Sequence, residues 1–176
     1  MKNKMMIAML AIGSTLATTH AFAAAGTVNF NGNILDSACD VDVASQNQVV
    51  VLGDYYKTEF PTTVARTAAT QFNIVLKNCP VTVTSAKVRF DGTPDATNSS
   101  LLAIDSSAAG AATGVAINLM SADKADLPLH GSNSYSYALS STMDNTLSFY
   151  AQYISTAAAV TAGPANSVAN FSVVYN

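Results

Sequence analysis

Apolar and polar residues alternate with a period of two along most of this chain. The alternation predicts seven β-strands, at residues 27–34, 48–52, 72–76, 86–90, 115–119, 147–153 and 169–176. Such a pattern places every second side chain on one face, as expected for strands that bury one side of a sheet. Turn-forming stretches such as residues 91–95 and Gly163-Pro164 separate the strands. Many short strands with polar connections predict an all-β sandwich.

Two connections are long enough to need their own interpretation. Residues 55–69 show neither period, and we expect an irregular crossing between sheets with one short helical turn. Residues 106–114 are rich in Ser, Ala and Gly, which favours a flexible surface loop. Neither stretch indicates a boundary between domains.

The first 23 residues have the pattern of a secretory signal peptide. Lys2 and Lys4 precede an apolar run of about 13 residues, and the stretch closes on Ala21-Phe22-Ala23, a small-x-small cleavage pattern. A membrane anchor is the alternative, but the run is shorter than the roughly 20 residues that span a bilayer. We predict cleavage after Ala23, or at the neighbouring Ala25, and a mature chain that begins at residue 24.

Length and charge narrow the function classes. The 176 residues suit one domain, and the 49% of hydrophobic residues argues against disorder. Eight Lys and Arg residues stand against eleven Asp and Glu residues, and two of the eight lie in the predicted leader. The mature chain is therefore acidic and offers no basic patch for nucleic acid, which we do not expect as a partner.

The two cysteines, Cys39 and Cys79, both lie in the exported part of the chain. An oxidising compartment allows thiols to pair. Two Cys so far apart, with no Cys or His cluster beside them, make neither a zinc site nor a redox motif. One intramolecular disulfide is the prediction.

The two ends of the mature chain complement each other. The segment at 27–34 lies wholly before Cys39, so it is able to detach from the domain. The last predicted strand has no successor to cover its edge, and an uncovered strand edge attracts another strand. Strand addition between molecules would satisfy both ends and build a head-to-tail fibre.

A series of short motifs runs through the mature chain. They are G-T-V-x-F-x-G at 26–32, the CDVDV segment at 39–43, V-x-L-G at 50–53, F-x-I-x-L-x-x-C at 72–79, V-x-F-x-G-x-x-D at 88–95 and T-A-G-P-A-N-x-x-A-x-F-x-V-x-Y at 161–175. Together and in this order they resemble the fimbrial subunits of bacterial chaperone-usher pili, type 1 class. The resemblance covers the whole mature chain.

This resemblance implies a fold, a function and a set of partners. The fold is an incomplete immunoglobulin-like β-sandwich that lacks its last strand. A periplasmic chaperone lends the strand, and at an outer-membrane usher the extension of a neighbouring subunit replaces it. The implied domains are a signal peptide at 1–23, a donor extension at 24–36 and a pilin domain at 37–176. The mature protein would be exported through the periplasm into a fimbria on the cell surface, where it takes part in adhesion.

The resemblance also assigns residues. The donor strand would present Val28, Phe30, Gly32 and Ile34, with Gly32 at a place where a side chain would clash. The acceptor groove would be edged by Phe171, Val173 and Tyr175. The carboxylate of Asn176 would be held by basic residues of the chaperone.

Other functions have less support in the sequence. His130 is the single histidine of the mature chain and lies in a turn context, so a catalytic triad is not expected. No cofactor motif or metal-ligand spacing occurs. A monomeric secreted glycan-binding module is the alternative, since aromatic side chains stack on sugars and several tyrosines are available, namely Tyr55, Tyr56, Tyr135 and Tyr137.

Overall fold

The computed structural model describes residues 26–32, 34, 38–131 and 133–175. The chain divides after Ile34 into an N-terminal unit and a larger domain. Residues 26–32 of the N-terminal unit form no strand, although the sequence predicts one at 27–34. The predicted signal peptide and Asn176 lie outside the described residues. No helix in the described ranges is long and apolar enough to cross a membrane.

The described residues of the domain form nine β-strands and two very short helical segments. The strands are β1 (Asp40–Val41), β2 (Thr70–Lys77), β3 (Ser85–Gly92), β4 (Leu102–Ala103), β5 (Val115–Met120), β6 (Asp126–Leu127), β7 (Tyr137–Ala138), β8 (Asn145–Ser155) and β9 (Ala169–Tyr175). An α-helical turn, α1, covers Val43–Gln46, and a 3-10 turn covers Lys57–Glu59. The 3-10 turn confirms the short helical turn predicted at 55–69, but this irregular stretch leads from β1 to β2 of the same sheet, so the predicted crossing between sheets is wrong.

All strand pairs are antiparallel, and they form two sheets. The first sheet has the order β1-β2-β8-β5-β4, with β6 paired to the far end of β5. The second has the order β7-β3-β9. The predicted all-β sandwich is confirmed, since side chains of both sheets share one core.

Aromatic rings join the two sheets at the centre of the core. Phe149 of β8 is fully buried, and its ring centroid lies 5.2 Å from that of Phe90 on β3. Phe72 of β2 stacks on Phe149 at 5.6 Å and meets Phe90 edge-on at 6.0 Å. Offset and edge-on pairs of this kind add to the stabilisation from burial alone.

Five of the seven predicted strands are present, and the prediction at 48–52 is wrong. Residues 48–52 form no strand and pair with none among the described residues. A strand requires a hydrogen-bonded neighbour, which alternation in a sequence does not supply. The two-residue strands β1, β4, β6 and β7 were not predicted, because each depends on pairing with a distant segment rather than on local pattern.

The sandwich has two distinct ends. The Cys39 end carries the disulfide between Cys39 and Cys79, which joins the start of β1 to the turn after β2. The last residue of β9, Tyr175, lies at the same end, because its hydroxyl donates to the Cys39 carbonyl at 3.3 Å. At the opposite end, called the Gly163 end, β9 begins and β8 reaches Ser155.

Candidate strand-acceptor groove

Strand β9 forms one edge of the second sheet. It pairs with β3 along its whole length, from Ala169 opposite Gly92 to Tyr175 opposite Ala86. Among the described residues no strand pairs with the other side of β9. An edge strand with unpaired backbone groups is a template for a further strand.

The inward side chains of β9 are less buried than those of its neighbour. On β3, Ala86, Val88 and Phe90 are 0%, 1% and 6% exposed. On β9, Phe171, Val173 and Tyr175 face the same core but are only partly buried. Burial therefore decreases at the free edge, where one strand of the sandwich is missing.

Residues 48–54 form the wall opposite β9. Their apolar side chains alternate, with Val50 and Leu52 partly buried and Val49 and Val51 88% and 76% exposed. Among the described residues none of their backbone groups makes a backbone hydrogen bond outside the regular elements. Only β9 was predicted as part of the groove, and this second wall was not, although a strand was predicted at 48–52.

A cleft of about 880 Å³ is lined by both walls. Its floor is formed by apolar residues of the core, namely Phe72, Ile74, Phe90, Ile117, Leu119 and Ala151. Asp54 and Lys57 are the charged residues of its lining. An apolar floor beside the unpaired edge of β9 fits a β-strand with alternating apolar side chains.

Each end of the sandwich is held by a specific contact. At the Cys39 end, burial raises the pKa of Tyr175, whose hydroxyl donates to the Cys39 carbonyl. At the Gly163 end, a Cβ atom added to Gly163 would overlap the Gly110 carbonyl oxygen, so only glycine allows the two loops to approach so closely. The Ala112 amide donates to the Pro164 carbonyl at 2.9 Å beside this approach.

The predicted site residues lie in two parts of the molecule. Phe171 lines the cleft, whereas Val173 and Tyr175 continue the same face of β9 toward the Cys39 end. Val28, Phe30 and Ile34 belong to the N-terminal unit and are 76%, 92% and 101% exposed. Gly32 is exposed as well, and Asn176 lies outside the described residues. The predicted Cys39–Cys79 disulfide is present.

Most ion pairs of the domain lie away from the cleft. Lys77 Nζ lies 2.6 Å from Asp42 and 3.6 Å from Asp144, and its hydrogen bond lowers the pKa of Asp42. Arg66 contacts both carboxylate oxygens of Asp126, at 3.0 and 2.9 Å, and lowers the pKa of that carboxyl. These pairs fasten loops to the sheets and lie outside the lining of the cleft.

His130 is bound within an electrostatic cluster on the second sheet. Its Nδ1 atom lies 2.8 Å from Asp91 Oδ1, and this hydrogen bond, followed by that from Arg89, lowers the pKa of Asp91. The His130 backbone has φ of +59°, and its amide donates to the Phe90 carbonyl at 2.9 Å. The imidazole thus ties a turn to β3, and its side chain is 42% exposed.

The four tyrosines of the glycan-binding alternative do not share one surface. Tyr137 is buried, its hydroxyl donates to the Ser148 carbonyl at 2.7 Å, and its ring meets that of Tyr135 at 4.6 Å. Tyr55 packs edge-on against Tyr153 at 6.1 Å. Tyr56 is 80% exposed. Three of the four rings are therefore used for packing rather than offered to a sugar.

The sequence has clear relatives. A model of the fimbrial protein family matches residues 28–176. The chain is 38% identical over 182 residues to the type-1 fimbrial protein A chain of Escherichia coli (strain K12), with 99% of this chain and 100% of the relative covered. This chain belongs to the fimbrial protein family. A second relative, fimbrial subunit type 1 of Klebsiella pneumoniae, is 40% identical over 152 residues, covering 85% of this chain and 83% of the relative.

Solved structures agree with the assignment of this fimbrial subunit. A chain from a chaperone-usher pilus, whose structure explains rod uncoiling, matches with a TM-score of 0.65 and 27% identity, covering 93% of this chain and 100% of that one. The predicted chaperone-usher fimbrial subunit, with an immunoglobulin-like sandwich that lacks a strand, is confirmed. The protein is a structural subunit of a pilus, from a family of surface fimbrial subunits and not of enzymes.

Proposed function

We propose that this fimbrial subunit polymerises by donor-strand exchange. The extension at 24–36 of one subunit fills the cleft between β9 and residues 48–54 of the next. The observation that supports this proposal most directly is the partial burial of the inward side chains of β9, the first of which, Phe171, lines the cleft. Val28, Phe30, Gly32 and Ile34 form the donor face, and Phe171, Val173 and Tyr175 form the acceptor edge.

The two ends of the sandwich determine the direction of the donor strand. Each extension leaves its own domain at the Cys39 end, where β9 also finishes. If the donor ran parallel to β9, the donor's body would lie at the acceptor's Cys39 end, which the acceptor needs for its own donation. Growth beyond a dimer therefore requires the donor to run antiparallel to β9, with Ile34 near the Gly163 end. This arrangement gives a heterologous, open-ended polymer.

The same open groove explains why the subunit needs partners before assembly. An uncovered apolar cleft beside an unpaired strand edge promotes aggregation. We propose that residues 1–23 direct export, that a periplasmic chaperone occupies the cleft and binds the Asn176 carboxylate, and that an outer-membrane usher exchanges the chaperone for the next subunit. The domain held in this way begins at residue 37.

The test separates a donor defect from an acceptor defect. Gly32→Asn adds a polar side chain to the donor face, where overpacking typically costs about 1–3 kcal/mol, and the buried amide lacks an assured partner. Phe171→Asp instead places a charge on the acceptor edge. Each variant is co-expressed with the chaperone, the complex is purified, and SDS-resistant multimers are followed after mixing with wild-type subunits.

We expect Gly32→Asn to bind chaperone normally and to fail as a donor, and Phe171→Asp to lose chaperone capture. Asn31→Gln is the matched control, since Asn31 lies on the opposite face of the alternating segment. The proposal fails if Gly32→Asn polymerises at the wild-type rate. It also fails if Gly32→Asn removes chaperone binding as completely as Phe171→Asp does.

A further inference from the structure

Two neighbouring turns at the Cys39 end each expose an apolar side chain. Val81 is 80% exposed in the turn that the Val83 amide closes on the Pro80 carbonyl at 3.0 Å. Met143 is 70% exposed in the turn before β8. Asn145 Nδ2 contacts both turns, donating to the Met143 carbonyl at 3.2 Å and to Cys79 Sγ at 3.3 Å. The two turns therefore lie side by side.

Single exposed apolar residues are ordinary on protein surfaces. Val81 and Met143 differ from such residues because they lie near Cys39, the residue through which the extension is joined to the domain. Five Cα–Cα steps join Ile34 to Cys39, and a fully extended chain spans at most about 3.6 Å per step, or about 18 Å. A donor strand that fills a neighbour's cleft must therefore hold the donor's Cys39 end close to that neighbour. This step rests on the proposed function.

The opposite end of the domain offers a neutral surface of matching chemistry. The loops at 106–114 and 156–163 contain no charged residue. Thr113 and Thr161 join them, since the Thr113 amide donates to Thr161 Oγ1 at 2.9 Å. Ala109 and Ala158 are exposed on these joined loops. Covering methyl groups desolvates no charge, so an apolar partner meets little resistance there.

We infer that Val81 and Met143 of one subunit pack on the loops around Ala109 and Ala158 of the next copy in the polymer. The contact lies at the Gly163 end, where the antiparallel donor strand places the neighbour's body. It adds a body-to-body interface to the inserted strand and fixes the angle between successive subunits.

Paired cysteine substitutions test this contact. One chain carries Met143→Cys with Ala158→Cys, and a second carries Val81→Cys with Ala109→Cys. In the first pair the eleven residues of β8 separate the two positions, which at about 3.4 Å per residue exceeds 30 Å. A disulfide needs Cα atoms within about 7 Å, so any bond between these positions must join two molecules.

Polymers of each variant are treated with a mild thiol oxidant and heated in SDS with and without reductant. We expect at least one pair to give a covalent ladder that reductant abolishes, with at least a tenfold excess over the control. The control, Asn73→Cys with Ala158→Cys, uses an exposed position on the outer side of β2. Free-thiol titration before oxidation verifies that Cys39 and Cys79 remain paired.

Two outcomes overturn the inference, and they are distinguishable. If SDS-resistant polymers form at the wild-type rate but neither pair cross-links above the control, the end-to-end contact is absent while strand exchange stands. If Gly32→Asn subunits also polymerise normally, donor-strand exchange itself fails and the contact loses its basis.

Discussion

Truncation of Phe171 to alanine distinguishes an empty groove from a filled one. Phe171 lines the cleft, is partly buried, and its ring centroid lies 6.5 Å from that of Phe90. Removing a fully buried Phe side chain costs about 3–5 kcal/mol. In the open groove part of the ring faces the cleft, so we expect the free energy of unfolding to fall by only about 1–3 kcal/mol. When a donor strand covers the ring, the full cost applies.

The difference between the two states appears as a loss of donor affinity. A difference of about 1–2 kcal/mol weakens the binding of a donor strand roughly 5- to 30-fold, since 1.4 kcal/mol is a factor of ten. The assay is fluorescence anisotropy with a labelled peptide of residues 24–36, titrated with mature subunit released from its chaperone complex. Urea unfolding with and without excess peptide measures the same difference as stability.

Val174→Ala is the matched control for this measurement. Val174 lies on the same strand but faces outward and is 51% exposed. We expect its truncation to change peptide affinity less than about threefold, because surface substitutions usually stay within about 0.5 kcal/mol. If Phe171→Ala and Val174→Ala weaken the peptide equally, the peptide does not occupy the cleft and the assignment of this groove is refuted.

Three further predictions concern the stability of the domain. Gly163→Ala should lower the melting temperature, because the added Cβ would overlap the Gly110 carbonyl oxygen and lie 2.7 Å from the Ala112 amide nitrogen. The neighbouring substitution Ala162→Ser is the control and should leave the melting temperature unchanged. Equal melting temperatures for the two variants would contradict the close approach of the loops. Arg66 holds the folded pKa of Asp126 below its ordinary value of 3.8, so this stabilisation is complete above pH 3.8 and disappears as the pH falls through the folded pKa. Wild type should therefore exceed Asp126→Asn in free energy of unfolding by about 1 kcal/mol or less at neutral pH, because the pair is so exposed. This difference should vanish in acid, and a difference that grows in acid would contradict a stabilising role for the Arg66–Asp126 pair. Cys39→Ser or Cys79→Ser opens a loop with a sequence separation of 40. Either substitution should reduce the free energy of unfolding by roughly 4 kcal/mol in the chain-entropy model, and the yield of subunit from the periplasm should fall with it. Reactive thiols in folded wild-type protein would instead show that the disulfide is missing.

The sequence by itself determined the longer elements and the fold class. Strands β2, β3, β5, β8 and β9 each carry enough alternating residues to bury one face, so local pattern and final structure agree. The pairing of Cys39 with Cys79 followed from the compartment and from the number of cysteines. Phe171, Val173 and Tyr175 were placed on one face of β9 for the same reason of alternation.

Only the tertiary structure shows which segment lines the cleft together with β9. Residues 48–54 alternate as β9 does but pair with no strand in the described part of the chain, and folding brings both segments to the lining of one cleft. The two-residue strands depend on contacts between segments far apart in the chain, such as Leu102 with Ile117. Gly163 is a second example. Its neighbours in the sequence indicate a turn, but only the folded chain shows that a side chain there would overlap Gly110, more than 50 residues earlier. The local sequence pattern determines which side of a strand is apolar, whereas the segments that cover that apolar side are determined by the packing of the whole chain.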